Sequence, residues 1–218
     1  MLIPLSPRLR RCAEFVVPGD RVADVGTDHG YLGIYLLQQG LARSVIASDI
    51  APGPLSAAKT NAEKYGFSDK MEFCLSDGVR DIPRDFDTLV CAGMGADTMI
   101  HILSEAPWLQ NSRYRLVLQC QSKQQLLRRY LSDQSWCIAS ESALRDGRFI
   151  YTVMEVRCQP DTPQLTDAQC WFPPVMQKTP SEETREYYRR VLNHLGLAAS
   201  HGNREAGSIL QQLEELPW

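Results

Sequence analysis

The sequence predicts an α/β fold: a mainly parallel sheet with helices on both faces, closed by an antiparallel hairpin and followed by a small helical C-terminal part. Three observations carry this. Short apolar runs alternate with helical segments from Arg21 onward, the pattern of successive βαβ units. The rhythm then changes to two β-rich runs, CIASESALR and RFIYTVMEVRC, on either side of Asp146-Gly147. Asp-Gly between such runs is a strong short-range hairpin signal. Beyond Cys158 the chain becomes rich in proline and turn formers, and then helical.

The elements follow in order. RVADVG reads as the first strand and GYLGIYLLQQG as a helix closed by Gly40; SVIASDI is the second strand, and PGPLSAAKTNAEKYGF a helix that stops near Gly66. MEFCLSDG is the third strand, FDTLVCAGMG the fourth with its loop, and ADTMIHILSEA a helix ending before Pro107. YRLVLQC is the fifth strand, and SKQQLLRRYLSDQSW a helix with Ser122 expected as its N-cap. QPDTPQLTDAQCWFPPVMQKTPSEE reads as a linker or wrapping segment, with Trp171 and Phe172 expected in the core. In SEETREYYRRVLNHLGLAAS the pair Ser181 and Thr184 signals a capped start that places Tyr187, Tyr188, Val191 and Leu195 on one face, and NREAGSILQQLEELPW is a second helical piece. Two parts result, a main domain over residues 1–158 and a linker with a small helical appendage over 159–218.

Composition narrows the class. The 218 residues are 44% hydrophobic, enough for one substantial core and an appendage. No apolar run of about 18 residues is present, and the N-terminus lacks a signal core, so no membrane association and a cytoplasmic location are expected. The net charge of -3 exerts no global pull on phosphate. Three local clusters stand against it: Arg8, Arg10 and Arg11; Lys123, Arg128 and Arg129; and Arg185, Arg189 and Arg190. Each by itself reads as a solvated helix face. The seven cysteines contain no C-x-x-C pair and read as reduced, buried small residues. The four histidines lack close Cys or His partners, so no metal site is expected.

The chemistry concentrates at the strand ends. Asp24 and Asp28 flank the end of the first strand, Asp49 ends the second and Asp77 the third. In an open α/β sheet, ligands collect at these carboxyl ends. An acid ending strand two, about twenty residues past the Gly26 turn, is where a ribose diol is held, in nicotinamide dinucleotide and S-adenosylmethionine proteins alike. The loop GTDHG separates the two. A dinucleotide fingerprint needs glycine where this chain has Asp28, because backbone must approach a pyrophosphate there, and a carboxylate repels it. A sulfonium is not repelled, and Asp28 with Asp24 can face the ammonium end of a methionine moiety. Helix capping explains each acid singly but not their joint placement on successive strands.

ADVGTDHGYL, SDG after strand three and CAGMG after strand four, with LSPRL, RLVLQ and WFPPVM elsewhere, resemble the bacterial tRNA (adenine-22, N1) methyltransferase family, a class I S-adenosylmethionine-dependent group, over most of the chain. The resemblance implies a Rossmann-like, seven-stranded methyltransferase domain. It implies Asp24, Gly26, Thr27, His29, Asp49, Ile50, Asp77, Gly78 and the backbone of Ala92, Gly93, Met94 and Gly95 around the cofactor. Asp28 is the implied catalytic residue at the mouth, with Arg8 and Tyr31 on the substrate side and the C-terminal helices helping to hold tRNA.

The family usually has proline at Gly33, glycine at Ala96, Pro-Asn at Cys120-Gln121, Tyr-Glu at Ile150-Tyr151 and Gly-Pro at Pro173-Pro174. No strand-end acid is lost by these departures, which are expected to cluster near the substrate side. Asn-Pro-Pro-Tyr, which positions an exocyclic amine in other adenine methyltransferases, is absent, arguing against N6 methylation. The alternatives are a methyltransferase of this fold acting on another RNA or a small molecule, a non-catalytic RNA-binding module, and, disfavoured by Asp28 and the hairpin, a nicotinamide oxidoreductase.

Overall fold

The computed structural model describes residues 2–159 and 161–216. Met1, Pro160, Pro217 and Trp218, which fall within the two expected parts and the last helical segment, lie outside the described residues. The elements are α1 (Pro7–Glu14), β1 (Asp20–Val25), α2 (Tyr31–Gln38), β2 (Ala42–Asp49), α3 (Pro52–Tyr65), β3 (Met71–Leu75), β4 (Thr88–Met94), α4 (Ala96–Ser104), β5 (Arg115–Cys120) and α5 (Gln124–Asp133). They continue as β6 (Trp136–Asp146), β7 (Phe149–Cys158), α6 (Asp167–Trp171), α7 (Pro174–Gln177), α8 (Glu182–Ser200) and α9 (Arg204–Glu214).

The strands form one seven-stranded sheet in the order β3-β2-β1-β4-β5-β7-β6. The first five pair in parallel, and β7 runs antiparallel to both β5 and β6. The order reverses between β1 and β4, opening a crevice at their carboxyl ends. Alternation along each strand feeds two cores. Val22, Val45, Val90 and Val117 pack under α1 and α2, whereas Ala23, Ile46, Leu89 and Leu116 pack under α4 and α5.

Several local signals act differently from the sequence expectation. A helix without bounds in the sequence reading, α1, opens the domain: Pro7 fits its first turn and the Ser6 hydroxyl accepts the Leu9 N–H at 3.4 Å. Ser122 does not cap α5. Lys123 occupies the N-cap position with φ 58°, because the Ser122 carbonyl receives the Ala96 N–H at 3.2 Å and so ties α5 to α4. The hairpin turn is centred on Gly147 and Arg148, one residue beyond Asp-Gly, with Asp146 paired to Phe149. Gly147 has φ 60°, the first central position of a II′-type turn. The expected linker contains α6, started by a Thr166–Gln169 capping box, and α7. Phe172 is fully buried and Trp171 is half-buried beside His194.

The cysteines among the described residues are free. Burial raises the thiol pKa of Cys91 to about 12 and of Cys120 to about 11, keeping both protonated. Among the described residues, no helix is long and apolar enough to cross a membrane.

Arg128 overturns the reading of its cluster as a solvated face. Its side chain is fully buried and forms a two-pronged ion pair with Glu141 of β6, with Nη2 to Oε1 at 2.7 Å and Nε to Oε2 at 3.0 Å. Nη1 donates to the Cys170 carbonyl at 2.8 Å and Nη2 to the Tyr187 hydroxyl at 3.0 Å. Burial alone would lower the basicity of Arg128, but the Glu141 charge and the Tyr187 hydroxyl outweigh it and raise its pKa. One side chain thus joins α5, β6, α6 and α8. Its neighbours behave as surface cations: Arg129 pairs with Asp167, and Lys123 with Asp97 at 2.8 Å.

Removing one partner of a buried pair leaves the other charge uncompensated. Arg128→Met should therefore cost about 3–5 kcal/mol in urea unfolding. Arg128→Met with Glu141→Leu should recover most of that loss; a double variant as unstable as the single one would refute the pairing account.

Candidate active site

A cavity of about 440 Å³ opens at the carboxyl ends of the central strands. The first loop enters it through a backbone that few residues tolerate. Gly26 has φ 73°, a left-handed conformation that favours glycine, and it packs beside the end of the Met94 side chain, whose Cε would lie 2.2 Å from a Cβ there. The Gly26 and Thr27 N–H groups both donate to the Ser48 carbonyl at 2.9 Å, stitching the loop to β2. Asp28 follows with φ 54°, a left-handed conformation that aspartate adopts more readily than most residues.

This loop sorts the acids by environment. Asp24 is 4% exposed, and its Oδ2 accepts the Thr27 hydroxyl at 2.8 Å. Burial raises its pKa to about 6; the Thr27 hydrogen bond opposes this and the nearby Asp49 charge adds to it. Asp49 is held by two backbone donors, Ala51 N–H to Oδ1 at 3.0 Å and Asp28 N–H to Oδ2 at 3.3 Å, and each oxygen retains acceptor capacity. Asp28 points outward with its side chain 74% exposed, 3.5 Å from His29 Nε2. The His29 ring stacks on Tyr31 with centroids 5.5 Å apart, and the Asn61 amide donates to the His29 carbonyl at 2.9 Å.

Arg8, Asp24, Gly26, Thr27, Asp28, His29, Tyr31, Asp49, Ile50, Asp77, Gly78, Ala92, Gly93 and Met94 all line this cavity. Gly95 does not: it stands at the N-cap of α4 in an extended conformation. A larger groove of about 650 Å³ between α1 and Thr179–Thr184 contains none of the strand-end acids.

Sequence reasoning missed several supports. Gln119 is buried in β5, and its Oε1 accepts the Gly93 N–H at 3.1 Å, holding the irregular end of β4 between Ala92 and Met94. A glutamine inside the apolar run RLVLQC was its signal. The Ser76 hydroxyl donates to the Gly78 carbonyl at 3.1 Å and accepts the Asp81 N–H at 3.1 Å, bracing the third loop. Thr98 and Ile102 of α4 supply a wall, and Gln121 closes the rim. The sequence departures are only partly on this side. Gln121 lines the cavity and Tyr151 lies under Arg8. Gly33 instead faces the core, where a Cβ would meet Val45 Cγ1 at 2.9 Å; Ala96 is buried at the start of α4, and Pro173-Pro174 starts α7.

Asp49, with acceptor capacity left on both oxygens, is a group that a ligand diol can meet, and the buried Asp24 carboxyl is one that a ligand cation can meet. Among the described residues, no group of three or more His, Cys, Asp or Glu side chains is placed to hold a metal ion.

A family model described as a methyltransferase domain matches residues 5–154. The tRNA (adenine(22)-N(1))-methyltransferase of Bacillus subtilis is 31% identical over 153 residues, 70% of this chain and 64% of that protein, so the match spans less than two thirds of that relative. A protein of Mycoplasma pneumoniae described as a candidate tRNA methyltransferase is 33% identical over 176 residues, covering 78% of this chain and 80% of that one. A Streptococcus pneumoniae crystal structure, described as a candidate tRNA (m1A22) methyltransferase in complex with S-adenosyl-L-methionine, superposes with a TM-score of 0.86. It is 28% identical and covers 97% of this chain and 99% of that one.

The buried carboxyl of Asp24 leaves a pH signature. Between the ordinary value of 3.8 and about 6, the folded chain keeps a proton that the unfolded chain has shed. This contribution to stability is full below 3.8 and is lost as pH rises to about 6. Relative to Asp24→Asn, the protein should lose on the order of 3 kcal/mol across that window in urea unfolding; a pH-independent difference between the two would refute the assignment.

Proposed function

The chain belongs to the methyltransferase family that includes the tRNA (adenine(22)-N(1))-methyltransferase of Bacillus subtilis, and from that premise we propose that it methylates N1 of an adenine in tRNA, using S-adenosylmethionine in the cytoplasm. The observation that carries this reading is the division of two neighbouring acids, Asp24 buried against the cavity floor and Asp28 exposed at its mouth.

Asp49 would hold the ribose hydroxyls of the cofactor and Asp24 its ammonium group. Ile50, Asp77 and Gly78 would flank its adenine, and the backbones of Gly26, Thr27, Gly93 and Met94 would enclose the rest. When bound, the cofactor supplies an electrophilic methyl group on a sulfonium. The chain's own contribution is positioning, since alignment of a lone pair with a methyl group supplies much of the acceleration in such a displacement. N1 lies on the Watson-Crick edge, so the target adenine must be unpaired or extruded to reach the mouth. There, Asp28 accepts a hydrogen bond or the proton from the exocyclic amine, offsetting the positive charge that N1 alkylation leaves on the base. Tyr31 and Arg8 bound the space that receives it. Residues 1–158 supply this chemistry, and residues 159–218 extend the surface offered to tRNA.

The test is transfer of labelled methyl to unmodified tRNA, followed by nuclease digestion and mass identification of the nucleoside. N1-methyladenosine is expected, and another product or none would overturn the reading. Asp28→Ala should lower kcat about 10²- to 10⁴-fold while cofactor affinity stays nearly unchanged. Equal losses in both would move Asp28 to the cofactor shell.

A further inference from the structure

The β6–β7 hairpin carries an exposed aromatic-arginine array that the catalytic reading leaves unused. Phe149, Tyr151 and Val153 point to one face of β7 by strand alternation. Along that face burial falls away outward, from Val153 fully buried, through Tyr151 half-buried, to Phe149 at 47% exposed. The Phe149 and Tyr151 rings lie 6.1 Å apart, tilted by 50°. Arginines stand at both ends: the Arg148 guanidinium lies 4.9 Å from the Phe149 ring centre, and that of Arg8 lies 5.9 Å from the Tyr151 ring centre.

Two features separate this array from a scattered exposed hydrophobe. It is continuous with the active-site mouth, because Arg8 also lines the cavity beside Asp28 and Tyr31. It also carries unspent positive charge. Glu186 engages Arg145 and Arg190, whereas Arg148 forms no ion pair among the described residues. The tip is held in place, since Arg190 Nη2 donates to the Arg148 carbonyl at 3.3 Å, and Arg8 reaches Asp146 at 3.7 Å. Aromatic rings with interleaved arginines are the combination that receives unpaired nucleotides, bases stacking on the rings and phosphates meeting the cations.

We propose that Phe149, flanked by Arg148 and the Arg8–Tyr151 pair, is a stacking platform for an unpaired nucleotide next to the target adenine. The proposal rests on tRNA being the substrate. An adenine presented by its N1 edge has left its pair, so a neighbour can be unstacked with it and needs a surface, which the hairpin offers beside the mouth.

The experiment measures binding and turnover separately on the full chain, with a fluorescently labelled unmodified tRNA transcript followed by anisotropy and by methyl transfer. Phe149→Ala should weaken tRNA binding about tenfold, within the range for loss of one base stack, and raise KM for tRNA equally. Its kcat and its affinity for S-adenosylmethionine should stay within about twofold, and Phe149→Trp should restore binding. Arg148→Ala should weaken binding and flatten its salt dependence. Unchanged tRNA affinity in Phe149→Ala would overturn the platform and leave the methylation reading standing. Binding that depends on Phe149 without methylation would keep the platform and overturn that reading, and no tRNA binding by the unaltered chain would overturn both.

Discussion

The reversal of strand order between β1 and β4 is the constraint on which the site depends. The chain leaves β1 toward β2 on one side and β4 pairs on the other, so the connections after β1 and β4 diverge and leave the crevice that forms the cavity. The residues around it serve to hold this crevice open while keeping its walls close. Gly26 takes the left-handed turn out of β1 beside the Met94 side chain, and Gln119 holds the Gly93 N–H near the end of β4.

The same residue type does different work in this crevice because its surroundings differ. Asp24 is surrounded by protein, so its ionisation is disfavoured, whereas the Asp28 side chain is largely exposed at the mouth. Asp49 lies between these extremes, fixed by two backbone amides and open on its remaining lone pairs. The acids along this one crevice thus grade from buried Asp24 to exposed Asp28.

The C-terminal helices are tied to the sheet by charge as well as by apolar contact. Tyr187, Tyr188, Val191 and Leu195 form a small core with Phe172 and Met176 that meets the sheet at Ala143. Arg128 and Glu141 sit at that junction, and the guanidinium also satisfies the Cys170 carbonyl and the Tyr187 hydroxyl. Desolvating two charges is expensive, and the arrangement compensates by leaving none of the guanidinium nitrogens without an acceptor. The appendage is thereby held in one orientation relative to the hairpin, whose tip lies beside the mouth.

Periodicity and turn chemistry sufficed to determine the α/β order, the antiparallel ending and the strand-end acids, because these are local properties that a short window carries. Apolar runs of strand length, Asp-Gly between two of them, and Asp24, Asp28, Asp49 and Asp77 at strand ends are each visible without neighbours in space. The cleft lining was legible for the same reason: acids and glycines at the ends of parallel strands converge once the strands pair, and only Gly95 among the named residues stays outside. What depended on distant partners was decided by the tertiary structure alone. Arg128 looks like Arg129 in sequence, yet one is buried against Glu141 and the other reaches Asp167, since the face of α5 that meets β6 is set by packing. Ser122 resembles an N-cap, but its carbonyl is taken by α4, so Lys123 assumes the position. The array of Arg8, Tyr151, Phe149 and Arg148 joins two segments far apart in the chain, and only the packing of α1 on the hairpin makes it one surface.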